Sequence, residues 1–253
     1  MFDLQECLAW GLPAPRGDED AGVASVCWSP KSADGGKRLL VGTRAGAVFE
    51  MGADDGKDLH GGPVVRTPTA DGELWGLSAH PKDARLVATC GDDRTVRVWD
   101  LAQRKQVAAR RFECAVRAVA YSPDGGKLAV GLGAASADHE KNGGFVVLDT
   151  RNLATVVHEG REQRQWIRDL AWSPDGHVLN IASNDHSIAS VDATNKFAPR
   201  YLFSAHAAPV SHFDFSADGQ PVKISQSTFT HLECGHRPPQ DLNSADRIPA
   251  PVY

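Results

Sequence analysis

A short unit that occurs five times along the chain constrains its fold more than any other feature of the sequence. Each copy has an apolar stretch that ends in an aromatic residue or His, then a tight turn, then a second apolar stretch. The copies are VASVCWSP, LWGLSAHP, VRAVAYSP, IRDLAWSP and VSHFDFSA, which end at Pro30, Pro81, Pro123, Pro174 and Ala217. Successive copies end 51, 42, 51 and 43 residues apart. Two of these spacings match the period of about 40–45 residues of one propeller blade.

A third apolar stretch follows in several copies and completes the pattern of short strands. It reads TVRVWDL at 95–101, GFVVLDT at 144–150 and SIASVDA at 187–193. Alternating short stretches separated by tight turns, with no sustained helical period, predict an all-β fold. A two-layer sandwich is the rival architecture, but repetition at a fixed period favours the blades of a β-propeller. The two longer spacings contain Gly- and Ala-rich insertions at about 53–72 and 132–144, which we interpret as surface loops.

The repeats divide the chain into three parts. We predict an N-terminal segment over 1–22 with a candidate edge strand, propeller blades over 23–234, and a Pro-rich tail over 235–253. A propeller of seven blades needs about 280–315 residues, whereas five units are visible. We therefore expect an incomplete ring whose open edges are covered by further blades or a partner chain, because soluble proteins avoid exposed strand edges. Closure with five or six blades is the alternative.

The string CGDDRTVRVWD at 90–100 is the most diagnostic part of any copy. It is typical of a WD-repeat blade, whose turn Asp accepts hydrogen bonds from nearby backbone and from a His in the preceding loop. A Trp on the next strand packs against that network. Asp93 and Trp99 match these two positions, and Thr95 lies on the strand between them. We predict that Asp93, Thr95 and Trp99 form the structural network of this blade.

Other copies keep only part of the pattern, so the blades are atypical. The replacements are Leu148 and Val191 at the position of Trp99, and Asn142 near the position of Asp93. Asp185 lies in the corresponding turn of the fourth copy, and His206, in SAH before the fifth copy, resembles the loop His. Asp185 and His206 therefore complete the predicted set of structural blade residues.

Longer stretches resemble one family. GELWGLSAHPKDARLVATCGDDRTVRVWDL at 72–101, IRDLAWSPDGHVLNIASNDHSIASVDA at 167–193 and SAHAAPVSHFDFSADGQPVKISQS at 204–227 are similar to the echinoderm microtubule-associated-protein-like family, in particular to its second propeller. The resemblance covers about 23–235. It implies tandem atypical WD-repeat propellers and a non-catalytic role in binding tubulin or microtubule-associated partners. It also implies a place on the cytoskeleton, for example in a ciliary or flagellar axoneme. The alternative is a generic WD-repeat scaffold for another intracellular complex, with no tubulin contact.

Composition argues against several other classes of protein. Lys and Arg total 27 against 32 Asp and Glu, for a net charge of −5, whereas nucleic-acid binders usually carry a basic excess. No apolar run approaches the length of a membrane helix, and the start MFDLQEC lacks the basic region of a signal peptide. The five cysteines are scattered and form no C-x-x-C pair, which is typical of reduced thiols. We therefore expect a cytoplasmic protein with no nucleic-acid or membrane partner.

The sequence offers no convincing catalytic or metal-binding constellation. It contains no G-x-S-x-G, H-E-x-x-H or P-loop motif. His231, Cys234 and His236 supply three zinc-type ligands without a fourth nearby, so we interpret them as ordinary polar residues. Asp92 beside Asp93 could be read as a carboxylate pair, but the blade turn accounts for Asp93 and leaves Asp92 as a solvated turn residue. We expect no enzyme activity, no metal and no cofactor.

Basic residues cluster in one part of this acidic chain. The span 94–127 holds eight basic and three acidic residues. Within it the segment 104–111, RKQVAARR, contains Arg104, Lys105, Arg110 and Arg111. One interpretation is a solvated strand whose charges protect a sheet edge. The functional interpretation is an electrostatic contact with an acidic partner, and tubulin is strongly acidic.

Overall fold

The chain forms short antiparallel β-sheets that follow one another in sequence. The structure, a computed structural model, describes residues 22–29, 37–66, 73–133, 140–204, 209–215 and 221–226. All regular secondary structure in these ranges is β-strand. No helix in the described part of the chain has the length and apolar character needed to cross a membrane.

Four sheets have four strands each, and a fifth has two. The first contains β1 (Val23–Trp28), β2 (Arg38–Thr43), β3 (Ala47–Gly52) and β4 (Val65–Arg66). The second contains β5 (Leu74–Ala79), β6 (Leu86–Gly91), β7 (Thr95–Asp100) and β8 (Lys105–Arg111). The third contains β9 (Val116–Tyr121), β10 (Lys127–Leu132), β11 (Gly144–Asp149) and β12 (Asn152–Arg161). The fourth contains β13 (Ile167–Trp172), β14 (Val178–Ser183), β15 (Ile188–Asp192) and β16 (Ala198–Phe203), and the last contains β17 (Val210–Phe215) and β18 (Pro221–Gln226).

Each four-stranded sheet is a meander in which strands pair in the order of the sequence. This arrangement is the blade of a β-propeller, so the fold class predicted from the sequence is confirmed, with four complete blades among the described residues. The five repeated sequence copies are β1, β5, β9, β13 and β17, the first strands of the five sheets. The chain divides into two compact units, Met1–Tyr121 and Ser122–Tyr253.

The second and third strands of the blades are buried on both faces. This is why β2, β6, β10 and β14 carry nearly continuous apolar runs rather than alternating patterns. In the first unit one core cluster joins two blades: Leu40, Val48 and Val65 of the first pack with Leu77 and other residues of the second. A blade therefore buries its apolar face against the next blade.

Side chains also link the first strands of consecutive sheets. In the first unit the Cys27 sulfur accepts the backbone N–H of Ala79 at 3.2 Å, and the Ser78 hydroxyl oxygen accepts that of Tyr121 at 3.1 Å. In the second unit the Asp169 carboxylate accepts the N–H of Phe213 at 3.1 Å. In each case the acceptor sits one strand position before the donor, so the repeated sheets share one inter-blade register.

One turn geometry recurs between the second and third strands of all four complete blades. Its last residue has a positive φ: 76° at Gly46, 65° at Arg94, 76° at Gly143 and 70° at His186. Glycine adopts this conformation without strain, whereas other residues do so at some cost. At Gly143 an added Cβ would lie 1.9 Å from the carbonyl oxygen of Gln163. That blade therefore requires glycine for space as well as for conformation.

The interpretation of 53–72 as a surface loop was wrong in part. Val64 and Val65 are buried, and β4 pairs with β3 through Val48↔Val65 and Ala47↔Arg66. This apolar pair belongs to the edge strand of the first blade. The polar residues around the pair made the strand hard to recognise in the sequence. In the second insertion, 132–144, Leu132 ends β10 and Asn142 is buried, while 134–139 lie outside the described residues.

Two apolar side chains on the first strand of the first blade are exposed. Val26 is 45% exposed, whereas its counterparts Leu77, Val119, Leu170 and Phe213 at the fourth position of the other first strands are at most 8% exposed. Trp28 is 47% exposed at the last strand position. Their neighbours on the same face, Leu39 and Val41 of β2, are buried, so the exposure is confined to β1.

The two tryptophans at the last position of β1 and β13 allow a matched test. Trp172 is 8% exposed and meets Phe197 edge to face at 6.1 Å between ring centroids. We predict that Trp172→Ala lowers the free energy of unfolding by about 3–5 kcal/mol because a cavity remains. Trp28→Ala should change it by about 1 kcal/mol or less. Urea denaturation followed by circular dichroism measures both, and equal losses would show that the β1 face is packed.

Candidate protein-interaction site

The turn between β6 and β7 holds Asp93, which is satisfied within its own blade. Its Oδ1 accepts the backbone N–H of Thr95 at 3.1 Å and the Thr95 hydroxyl at 2.7 Å. Its Oδ2 accepts from Arg97 Nη1 at 2.6 Å, and both side chains of this pair are largely buried. In the WD-repeat pattern a His of the preceding loop binds this carboxylate, whereas here Arg97 on β7 does so.

Trp99 is buried on β7 and is anchored by a residue that sequence reasoning did not single out. Its indole N–H donates to the Thr89 hydroxyl at 2.8 Å. In the strand register Trp99 lies opposite Val87, which makes Thr89 its diagonal neighbour on β6. A buried indole N–H usually finds an acceptor. The sign of this role in the sequence was that Thr89 is the single hydroxyl residue within the otherwise apolar run LVATC of β6.

The interpretation of Asp92 as a solvated turn residue was wrong. Its Oδ2 accepts the backbone N–H of Glu73 at 3.1 Å and the indole N–H of Trp75 at 3.0 Å. Its Oδ1 pairs with Arg117 Nη2 at 2.8 Å, and the Arg117 guanidinium lies 4.4 Å from the centre of the Trp75 ring. Burial lowers the pKa of Arg117 and the Asp92 carboxylate opposes this shift. The group links the second blade to β9.

The strand registers align the other blades with this one. Cys90↔Val96 corresponds to Gly131↔Phe145 and to Ala182↔Ile188. By this alignment Asn142 and Asp185 occupy the position of Asp93, and Leu148 and Val191 occupy that of Trp99. Ile181 likewise stands at the position of Thr89, so an aliphatic pair in the fourth blade replaces the hydrogen-bonded Trp99–Thr89 pair.

The fourth blade builds its own polar network around Asp185. The Asp185 Oδ2 accepts the backbone N–H of Arg164 at 2.7 Å, and its Oδ1 lies against the Ser187 hydroxyl. Gln163, which is 1% exposed, also contacts that hydroxyl through Oε1 at 2.5 Å and donates to the Ile181 carbonyl at 3.1 Å. Gln163 lies four residues before β13, as His206 does before β17. His206 is outside the described residues.

The carboxylates of the turns just described are all engaged by partners inside the fold. Asp92, Asp93 and Asp185 each accept at least two hydrogen bonds or ion pairs. Among the described residues, no group of three His, Cys, Asp or Glu side chains is placed to hold a metal ion. His231, Cys234 and His236 lie outside that part of the chain.

The four predicted basic residues come together on the fourth strand of the second blade. Arg104 has a φ of 53° in the turn before β8, and Lys105, Arg110 and Arg111 lie on β8 itself. Arg104, Lys105 and Arg111 are exposed, and these three form no ion pair with any described residue. The Arg110 guanidinium lies 5.2 Å from the centre of the Phe112 ring. We call Arg104, Lys105, Arg110 and Arg111 the basic edge.

The structure also shows that part of the positive charge of 94–127 is not accessible to a partner. Two of the eight basic residues of 94–127, Arg97 and Arg117, are largely buried and paired with Asp93 and Asp92. Their positive charge is used inside the fold and is not available to a partner. Of the six basic residues of 94–127 that remain, four form the basic edge, and the other two are Arg94 and Lys127.

The anchoring of Trp99 can be tested with a double-mutant cycle. We predict that Thr89→Val lowers the free energy of unfolding by about 1–3 kcal/mol, because it leaves the buried indole N–H without an acceptor. In a Trp99→Phe background the same substitution should cost little, since phenylalanine has no N–H to satisfy. Chemical denaturation of the four proteins gives the coupling energy. An identical cost in both backgrounds would contradict the hydrogen bond.

Comparison with known proteins gives a matching family model and several relatives. The model of the echinoderm microtubule-associated protein second beta-propeller matches residues 74–247. The 77 kDa echinoderm microtubule-associated protein of Strongylocentrotus purpuratus is 33% identical over 202 residues, covering 78% of this chain and 27% of that protein. Echinoderm microtubule-associated protein-like 2 of Mus musculus is 30% identical over 218 residues, 84% of this chain and 31% of that protein. The ciliary WD repeat-containing protein ctxp80 of Euplotoides octocarinatus is 27% identical over 205 residues, 74% of this chain and 27% of that protein.

The chain thus spans between a quarter and a third of these relatives. The matched family model covers most of the described blades, from the start of β5 onward. The resemblance inferred from the sequence motifs is confirmed: the chain belongs to the echinoderm microtubule-associated protein family, within the part of it that forms the second β-propeller.

Proposed function

We propose that this propeller is a non-catalytic protein-interaction module of a microtubule-associated protein, and that it contacts tubulin through the basic edge. The observation that carries the proposal is the exposed, unpaired positive charge of Arg104, Lys105 and Arg111 on a protein whose net charge is −5. The printed names of the relatives, which are microtubule-associated proteins, supply the partner class.

Electrostatics explains why such a small segment would matter. An acidic surface such as that of tubulin repels most of an acidic protein, so binding requires an orientation that presents the positive part. Exposed charges of opposite sign steer that encounter and raise the association rate. Because they act through water, their effect is screened over about 8 Å at physiological ionic strength. The contact should therefore be salt-sensitive.

The same relatives support a place of action. Association with microtubules would locate the protein on the cytoskeleton, and the ciliary name of the Euplotoides protein supports the axoneme as one site. The exposed side chains of β1 support a further proposal, that another propeller blade covers Val26 and Trp28. In the first unit the equivalent residue Leu77 is buried by the aliphatic side chains Leu40 and Val48 of the preceding blade, so a blade is the cover that this face fits.

Microtubule co-pelleting tests the proposed contact. We predict that changing Arg104, Lys105, Arg110 and Arg111 together to Glu weakens co-pelleting at least tenfold and flattens its dependence on salt, because the electrostatic attraction reverses. The matched control changes four other basic residues to Glu, which alters the net charge equally. The control residues are exposed and are not part of β8: Arg44, Lys82, Arg161 and Lys196.

The two variants separate the possible results. Strong binding by the control and weak binding by the basic-edge variant supports the proposal. Equal loss in both would mean that net charge alone governs binding and would contradict the basic edge as the contact. A wild-type protein that does not pellet with microtubules at any salt concentration would instead favour a scaffold for another intracellular complex.

A further inference from the structure

β8 has one side of its backbone unpaired in the described structure. In its sheet it pairs with β7 alone, through Thr95↔Arg111, Val96↔Arg110 and the pairs that follow. The backbone N–H of Phe112, next after β8, donates to the Arg94 carbonyl at 2.7 Å. The N–H and C=O groups of successive strand residues point in alternating directions. The backbone groups of Arg110 therefore also point towards β7. Ala109 and Arg111 therefore direct their N–H and C=O groups away from the sheet.

The fourth strands of the other blades are less suited to accept another strand. β4 has only two residues. β16 contains Pro199 and therefore lacks one N–H group. β12 carries Glu159, whose carboxylate lies 3.5 Å from Lys141 Nζ. Of the described fourth strands, β8 is the one of at least seven residues that has basic side chains and no acidic one.

A bulge fixes which part of β8 is regular. Val98 pairs with Ala108 and Trp99 with Gln106, which leaves Val107 without a partner in the register. Val107 is 52% exposed. The regular part is 108–111, in which two alanines leave room for an added strand. Alternation places the side chains of Arg110 and Arg111 on opposite faces of the sheet.

We propose that the stretch 108–111 of β8 binds an extended acidic peptide by strand addition. The peptide backbone pairs with the outward groups of Ala109 and Arg111, and its carboxylates meet Arg110 on one face and Arg111 on the other. Consecutive acidic residues fit this arrangement, because neighbouring side chains of a strand point to opposite faces. Main-chain hydrogen bonds give affinity in such complexes, and side-chain contacts give specificity.

This inference rests on the proposed function and specifies its partner. An acidic partner of the basic edge would be recognised through an unfolded, Glu-rich segment rather than through a rigid folded surface. The two proposals differ in what they require. Charge attraction needs only the basic side chains, whereas strand addition also needs the outward backbone groups of β8.

The test uses a fluorescein-labelled peptide of eight consecutive glutamates and measures its binding to the full chain by fluorescence anisotropy. Ala109→Pro removes an outward N–H while leaving the pairing with β7 intact, since proline is tolerated on an edge strand. We expect it to weaken binding about threefold to tenfold, the effect of losing one hydrogen bond. The matched control, Ala109→Ser, keeps the N–H and should bind within about twofold of the wild type.

A second arm changes the peptide instead of the protein. N-methylation of two adjacent central glutamates removes a donor from each edge of the peptide and keeps every carboxylate. We expect the methylated peptide to bind the wild-type chain at least threefold more weakly. This arm decides the question even if Ala109→Pro fails to fold, which its denaturation midpoint would reveal.

Each remaining outcome overturns strand addition. If Ala109→Pro is folded and binds like the wild type, or if the methylated peptide binds equally well, the contact depends on charge alone. If the wild-type chain does not bind the octaglutamate peptide at all, the proposed partner class is wrong. In all these cases charge-dependent co-pelleting with microtubules would still stand or fall by its own experiment.

Discussion

Each four-stranded blade that the structure describes is a single-layer sheet whose middle strands are buried on both faces, so none of these blades can bury its core by itself. The remaining structure follows from that constraint. It explains why the sequence repeats, because neighbouring sheets must present matching faces at a matching spacing. It also explains why Cys27, Ser78 and Asp169 each accept a hydrogen bond from the next first strand. On β1, Val26 and Trp28 are the exposed members of such an apolar face.

Strands and turns, which are set by short stretches of sequence, could be predicted from the sequence. The five first strands, the third strands and the turn positions of Asn142 and Asp185 are all visible in the sequence, because turns and alternation are short-range signals. Partners in space were not visible. Thr89, Gln163 and Arg117 satisfy Trp99, Ser187 and Asp92 across strands or sheets, and no spacing along the chain announces such pairs. The short β4 was missed because two valines within a polar insertion give no periodic signal.

The partners of charged side chains were likewise not visible in the sequence. In the sequence, eight basic residues within 94–127 form one block. In the structure, Arg97 and Arg117 are neutralised inside the fold by Asp93 and Asp92, and four of the other six form the basic edge. Structural and interaction roles are thus divided between side chains only a few residues apart. Membership of the microtubule-associated family supplies a partner class that fits the sign of this charge.

The basic edge is the central claim, and zero-length crosslinking to microtubules tests it most directly. A carbodiimide joins a lysine amine to a carboxylate only when the two are in contact, and Lys105 is the single lysine of the basic edge. Mass spectrometry of the crosslinked complex should find Lys105 joined to acidic residues of tubulin, at low salt and not at high salt. Crosslinks that form through Lys82, Lys127 or Lys196 while Lys105 remains unmodified would contradict the account.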